Sequence, residues 1–230
     1  MSAVAAFFDL DGTLTSGHLY TGIIRQRMRR PLGAIRAIGY LMSHFAMVVP
    51  YRLGMLDKLR FFASWGEDLA GLYKGVRIPD AEPEFLSVAN ELLAAGREDA
   101  MKMLRWHQSE GHVVVLVSGT LLPVLEAVAR ALDVPHAVGT SLDIRDGRYT
   151  GHLQGPLCFG KEKAQQLRSF LQDAGLDVDL SASYAYADRH HDLALLEMVG
   201  HPVAMYPDEM LLAHAREKGW PILGVTNARR

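Results

Sequence analysis

Four short stretches of this 230-residue chain place acids, hydroxyls and amines where chemistry can be done. The first is Asp9-Leu10-Asp11-Gly12-Thr13, directly after the apolar run Ala3 to Phe8. Two residues apart in extended backbone, both carboxylates fall on one side. Such crowding costs free energy unless a cation or a shared proton relieves it. Gly12 lets backbone approach a ligand closely, and Thr13 adds a hydroxyl. The second stretch is Ser118-Gly119-Thr120, after His112 and the run VVVLV. A strand, then Ser-Gly-Thr, then a helix start predicts an anion site built from hydroxyls and backbone N–H groups, with ordinary helix capping as the alternative. The third is Gly160-Lys161-Glu162-Lys163, at the head of a segment with helical spacing. The fourth is Asp188 and Asp192, one at a strand's end and one a turn later, a spacing that suits one Mg²⁺ served directly and through an outer layer. Arg189, His190 and His191 lie between them, and those imidazoles leave a softer metal as the alternative.

The elements that must position these groups are legible in the pattern. Ala3 to Phe8, His112 to Val117 and Ser183 to Ala187 read as strands, the first two buried on both faces. Arg97 to Glu110, the segment after Thr120, the segment after Gly160 and Asp208 to Lys218 carry helical spacing. Asp146-Gly147 predicts a hairpin turn between Leu142 and Thr150. Strands alternating with helices predict an α/β fold, a Rossmann-like parallel sheet with helices on both faces and its site at the strands' carboxyl ends. At 49% hydrophobic and 22% charged, the chain suits one large or two modest domains with a real core. A net charge of −2 suggests no nucleic-acid partner. The single cysteine, Cys158, excludes an internal disulfide and fits a reducing, cytoplasmic setting; no secretory leader is evident at the N-terminus.

Residues 16–95 read as helical and amphipathic, without strands. Arg25, Arg27, Arg29 and Arg30 form a basic cluster, and Ala37 to Tyr51 contains no Asp, Glu, Lys or Arg. Fifteen residues fall short of the ~20 that span a bilayer. The stretch is therefore expected to be a buried helix, with a peripheral membrane contact as the alternative.

The Asp-x-Asp-Gly-Thr stretch resembles the first motif of the haloacid dehalogenase superfamily, and the other three resemble its second, third and fourth. The phosphoserine-phosphatase-like branch is the most similar, and the resemblance spans nearly the whole chain. It implies a Mg²⁺-dependent phosphatase acting through an aspartyl-phosphate. Carried onto this chain, Asp9 is the nucleophile and Asp11 the general acid/base. Ser118, the Gly119 amide and Lys163 hold phosphate, with Lys163 preferred to Lys161. Asp9, the Asp11 carbonyl and Asp188 hold the metal, with Asp192 in support. It also implies a catalytic core of residues 1–15 plus 96–230 and an inserted helical cap, 16–95, that selects a small phosphorylated substrate. His18 falls where phosphoserine phosphatases carry an ammonium-reading Glu, so phosphoserine itself is not the expected substrate. His191 falls where they carry a phosphate-contacting Asn. Arg52 and Arg60 are candidates for a substrate carboxylate. Two alternatives stand beside this reading: a phosphatase for a lipid head group such as phosphatidylglycerophosphate, and a non-catalytic module that binds a phosphorylated ligand.

Overall fold

The computed structural model describes residues 2–52, 55 and 58–224. Its centre is β1 (Ala5–Phe8), buried along its whole length. Successive side chains of a strand point to opposite faces. Ala6 and Phe8 accordingly join one apolar cluster, while Ala5 and Phe7 join another on the far side of the sheet. A short apolar run therefore forms a strand here because both of its faces have a core to enter.

The chain leaves β1 through α1 (Leu19–Met28), α2 (Pro31–Arg52), α3 (Lys58–Leu69) and α4 (Ile78–Ala94). Pro31 at the first position of α2 explains the break after α1, since a proline N–H is not needed there. The buried Arg27 guanidinium donates to both oxygens of the buried Glu84 carboxylate at 3.1 and 3.0 Å, and Arg30 reaches the same group at 2.9 Å, tying α1 to α4. Arg25 pairs with Glu91 of α4 at 2.9 Å. Three of the four arginines in the basic cluster are thus engaged with α4 carboxylates.

α5 (Glu98–Ser109) returns the chain to β2 (Val113–Leu121), followed by α6 (Leu122–Ala131) and β3 (His136–Thr140). A hairpin of β4 (Leu142–Arg145) and β5 (Arg148–Leu153) turns at Asp146-Gly147, both with positive φ. Then come α7 (Lys161–Asp173), β6 (Tyr184–Ala187), α8 (Leu193–Leu196), β7 (His201–Met205), α9 (Glu209–Lys218) and β8 (Ile222–Leu223). The six-stranded sheet runs in the order β3-β2-β1-β6-β7-β8, and every pairing in it is parallel. The chain switches direction of winding between β1 and β6, the place where open α/β sheets open a crevice at their carboxyl edge.

Two expectations need correction. The strand does not stop before Ser118-Gly119-Thr120: β2 runs on through a register shift to Leu121, and the expected helix, α6, follows at Leu122 beside Pro123. The pairing with β3 continues at Leu121–Thr140, which holds these residues in the sheet. The apolar stretch around Ala37 to Tyr51 lies in a longer helix that is buried on one side only. Ala37, Tyr40 and His44 face inward, whereas Ile38, Met42 and Phe45 face out.

Candidate active site

β1 ends at Asp9, whose backbone N–H donates to the Tyr186 carbonyl of β6 at 3.0 Å. That bond sets the carboxylates following β1 and β6 side by side. The ligand oxygens of Asp9, Asp188 and Asp192 lie within 4.8 Å of one another, and all three residues are buried. Lys163, in the first turn of α7, is 2% exposed and inserts its ammonium between two of them, 2.7 Å from Asp9 Oδ1 and 2.7 Å from Asp192 Oδ1. Lys161 is exposed. Thr13 Oγ1 donates to the other Asp9 oxygen at 3.1 Å.

Gly12 is a residue the crevice cannot do without. Its φ is +93°, and a Cβ there would stand 2.1 Å from Asp188 Oδ2 and 2.6 Å from Asp188 Cγ. The backbone after β1 thus runs directly against the carboxylate after β6, which only glycine permits.

Asp11 is held apart from this cluster. Its Oδ2 accepts from Thr120 Oγ1 at 2.8 Å, and its Oδ1 accepts from the Leu19 N–H at the head of α1 at 3.1 Å. Thr120 is itself positioned by Ser118, whose Oγ lies 3.1 Å from the Thr120 hydroxyl and accepts the Thr120 N–H at 3.2 Å. Thr120 is the contact that sequence reasoning missed. Its hydroxyl was in plain view in Ser-Gly-Thr, but only the strand continuing past Ser118 turns it toward Asp11.

The electrostatics follow from burial and crowding. Burial, reinforced by the charge of Asp9, raises the Asp11 carboxyl to about 6, against its two hydrogen bonds. Burial and then Asp9 push Asp188 up to about 8, with Arg189, 2.9 Å away, pulling the other way. Burial also works to raise Asp9, and Lys163 opposes it. Asp192 resists burial because Lys163 and His191 outweigh it, bringing its carboxyl down to about 2. Lys163 stays protonated: burial disfavours its charge, but Asp192 and Asp9 more than compensate.

Lys163 serves Asp9 and Asp192 while Arg189 serves Asp188, and the convergence of three buried carboxyl groups on one point fits a divalent cation. Asp188 Oδ1 and Asp192 Oδ2 are buried with no hydrogen-bond partner among the described residues. Carboxylate oxygens are the donor set that Mg²⁺ prefers. His191 sits at the border with Nδ1 3.3 Å from Asp192 Oδ1 and its ring 4.3 Å from that of Phe159.

The remaining sequence candidates are more scattered. Gly119 lies in β2 against the Cys158 carbonyl, 3.3 Å from where a Cβ would be. His18 is the exposed N-cap of α1, near enough for its charge to favour ionised Asp11. Arg52 is exposed at the end of α2. The side chain of Arg60, in α3, lies outside the described residues. Tyr20, Tyr40, His44 and Trp65 meet edge-on or tilted between α1, α2 and α3.

Comparison with known proteins gives the same architecture a lineage. A phosphoserine phosphatase of Mycobacterium tuberculosis is 31% identical over 228 residues, covering 98% of this chain and 72% of that protein. A histidinol-phosphatase of Neisseria meningitidis is 29% identical, covering 95% of this chain and 97% of that one. A crystal structure of a Bordetella pertussis protein of unknown function superposes with a TM-score of 0.81 at 26% identity, over 98% of this chain and all of that one. Residues 6–197 match the family model of haloacid dehalogenase-like hydrolases, and the chain belongs to that family.

Proposed function

We propose that the protein is a Mg²⁺-dependent phosphomonoester hydrolase that works through a phosphoryl group carried on Asp9. The observation that carries this reading is the convergence of Asp9, Asp188, Asp192 and Lys163 on one buried point, with Asp11 held beside it by Thr120. Asp9, the Asp11 carbonyl and Asp188 would hold the cation, with Asp192 in support. When bound, it supplies positive charge against the substrate's phosphoryl oxygens.

In the first half-reaction an Asp9 oxygen forms a bond to phosphorus, the ester P–O bond breaks, and the leaving alkoxide takes the proton of Asp11. In the second, a water oxygen forms a bond to phosphorus and gives a proton back to the Asp11 carboxylate, the Asp9 O–P bond breaks, and inorganic phosphate departs with Asp9 restored as a carboxylate. A carboxyl near 6 suits both duties, since it exchanges its proton close to neutral pH. Lys163, with the Ser118 hydroxyl and the Gly119 amide, holds the phosphoryl oxygens. Residues 16–95 act as the cap that closes the crevice and selects the ester.

Two similar relatives carry the names of phosphatases for phosphoserine and histidinol phosphate. The substrate class proposed here is therefore a small phosphorylated metabolite. The exposed apolar face of α2 favours a second reading, a lipid head-group phosphate. A panel of phosphoserine, histidinol phosphate, glycerophosphates and phosphatidylglycerophosphate in micelles separates the two. The decisive variant is Asp9→Asn with para-nitrophenyl phosphate and Mg²⁺. Turnover should vanish, and unchanged turnover would remove Asp9 as nucleophile. No phosphate release from any monoester by the parent protein would leave only the non-catalytic, ligand-binding alternative.

A further inference from the structure

The outer face of α2 carries a run of exposed hydrophobic side chains. Leu32, Ile35, Met42 and Phe45 are each between 65% and 72% exposed, and Ile38 is 46% exposed. Met55, just beyond the helix, is 74% exposed, and Met28, just before it, 46%. Gly39, Ser43 and Ala46 fill the gaps in the same surface. At 100° per residue the positions from Leu32 to Ala46 form one stripe on a 22-residue helix about 33 Å long, with Met28 and Met55 outside it at either end. Single exposed hydrophobes are ordinary, but a continuous stripe of this length marks a surface that is covered in use.

The opposite face of α2 is committed to the protein. Ala37, Tyr40 and His44 are buried there, the Tyr40 hydroxyl donates to the Trp65 carbonyl at 2.8 Å, and His44 lies 3.3 Å from Asp68 of α3. This anchoring holds the helix flat against the rest of the fold, so its outer face can lie on a surface but the helix is not free to cross one.

Charge selects the occupant. Between Gly12 and Leu56 the sequence contains no Asp or Glu, so α1 and α2 carry cations alone. Arg36 and Arg52 are the only formally charged residues of α2, Arg29 is exposed in the turn before it, and Arg25 and Arg30 remain more than half exposed despite their α4 partners. A symmetric contact between two copies would bring this face against itself, arginine toward arginine, with no acid on either α2 to pair them. An anionic bilayer offers hydrocarbon to the stripe and phosphates to the guanidinium groups.

We propose that the outer face of α2 docks the protein on an anionic lipid bilayer, with Ile35, Met42 and Phe45 entering the interfacial region and the arginines at the headgroups. The proposal is independent of which ester the crevice cleaves. The experiment is flotation of the full chain with vesicles of phosphatidylcholine alone or of phosphatidylcholine mixed with phosphatidylglycerol. Binding is expected to the mixed vesicles, to weaken as salt is raised, and to fall at least about tenfold in the triple variant Ile35→Ser, Met42→Ser, Phe45→Ser. Because those side chains face solvent, the variant should keep its melting temperature and its turnover of para-nitrophenyl phosphate. No binding to the mixed vesicles, equal binding to both vesicle types, or undiminished binding by the triple variant would overturn the proposal. So would sedimentation showing a dimer that the triple variant abolishes, without vesicle binding, since the face would then belong to a second copy.

Discussion

Replacing Gly12 with alanine probes the crevice with one methyl group. The new Cβ would lie 2.1 Å from Asp188 Oδ2, whereas heavy atoms rest at ~3.5 Å or more, so the Asp188 carboxylate must retreat by about 1.4 Å. A backbone φ of +93° adds on the order of 1–2 kcal/mol of strain for a residue with a Cβ. For a chain of this size that strain lowers the melting temperature by roughly 2–8 °C and leaves the fold intact. Turnover should suffer far more. Displacing a group at a reacting centre by about 1 Å costs on the order of a hundredfold. Paired melting curves and turnover of para-nitrophenyl phosphate with Mg²⁺ measure both quantities on one preparation. Turnover within about threefold of the parent, from a variant with the expected small loss of stability, would refute the claim that Asp188 must stand against the backbone after β1.

Two further predictions rest on buried hydrogen bonds. Thr120→Val removes the hydroxyl that orients Asp11 and should lower kcat by about tenfold to a hundredfold with little change in KM, while Thr120→Ser restores most of it; an unchanged kcat for the valine variant would mean Asp11 is positioned without it. His107 is fully buried between His112, 2.7 Å away, and the Tyr186 hydroxyl, 2.8 Å away. Burial, then the neighbouring His112, carries its pKa down to about 4. The unfolded chain therefore takes up a proton at this residue from about pH 6.5 downward, while the native state does not until about pH 4, so stability falls as pH drops through that window, by up to about 3 kcal/mol. Urea midpoints at about pH 7 and about pH 4.5 should show a smaller acid loss in His107→Gln than in the parent; equal losses would assign the effect elsewhere.

The acids of the crevice were readable in the chain because each sits where a simple local pattern ends. Asp9 and Asp188 follow short apolar strands, and Gly12 is required by the Asp188 carboxylate at the end of the neighbouring strand. The parallel sheet and the hairpin at Asp146-Gly147 were legible for the same reason, since alternating strands and helices and a turn dipeptide are local signals. What escaped was decided by partners distant in sequence. β2 continues past Ser118 because β3 offers pairing at Thr140, and no pattern within Ser-Gly-Thr announces that. The spacing within Ala37 to Tyr51 does not say which side of α2 is covered, because that depends on Trp65 and α3. The basic cluster looked free in sequence, yet Glu84 and Glu91, some 60 residues on, take up three of its members.

The chain entering the helical segment and the chain leaving it run side by side. Thr15 bridges to Gly96, the Ser16 N–H donates to the Ala95 carbonyl at 2.9 Å, the Arg97 N–H donates to the Leu14 carbonyl at 2.8 Å, and Thr15 Oγ1 donates to the Leu92 carbonyl at 2.6 Å. A second seam ties the same segment to the hairpin: the Gly75 N–H donates to the Tyr149 carbonyl at 2.7 Å, the Tyr149 N–H to the Val76 carbonyl at 3.0 Å, and the Ile78 N–H to the Gly147 carbonyl at 3.1 Å. Two seams and the Leu19 N–H on Asp11 make this segment part of the frame of the site, so exchanging it would also loosen the hairpin and the Asp11 carboxylate.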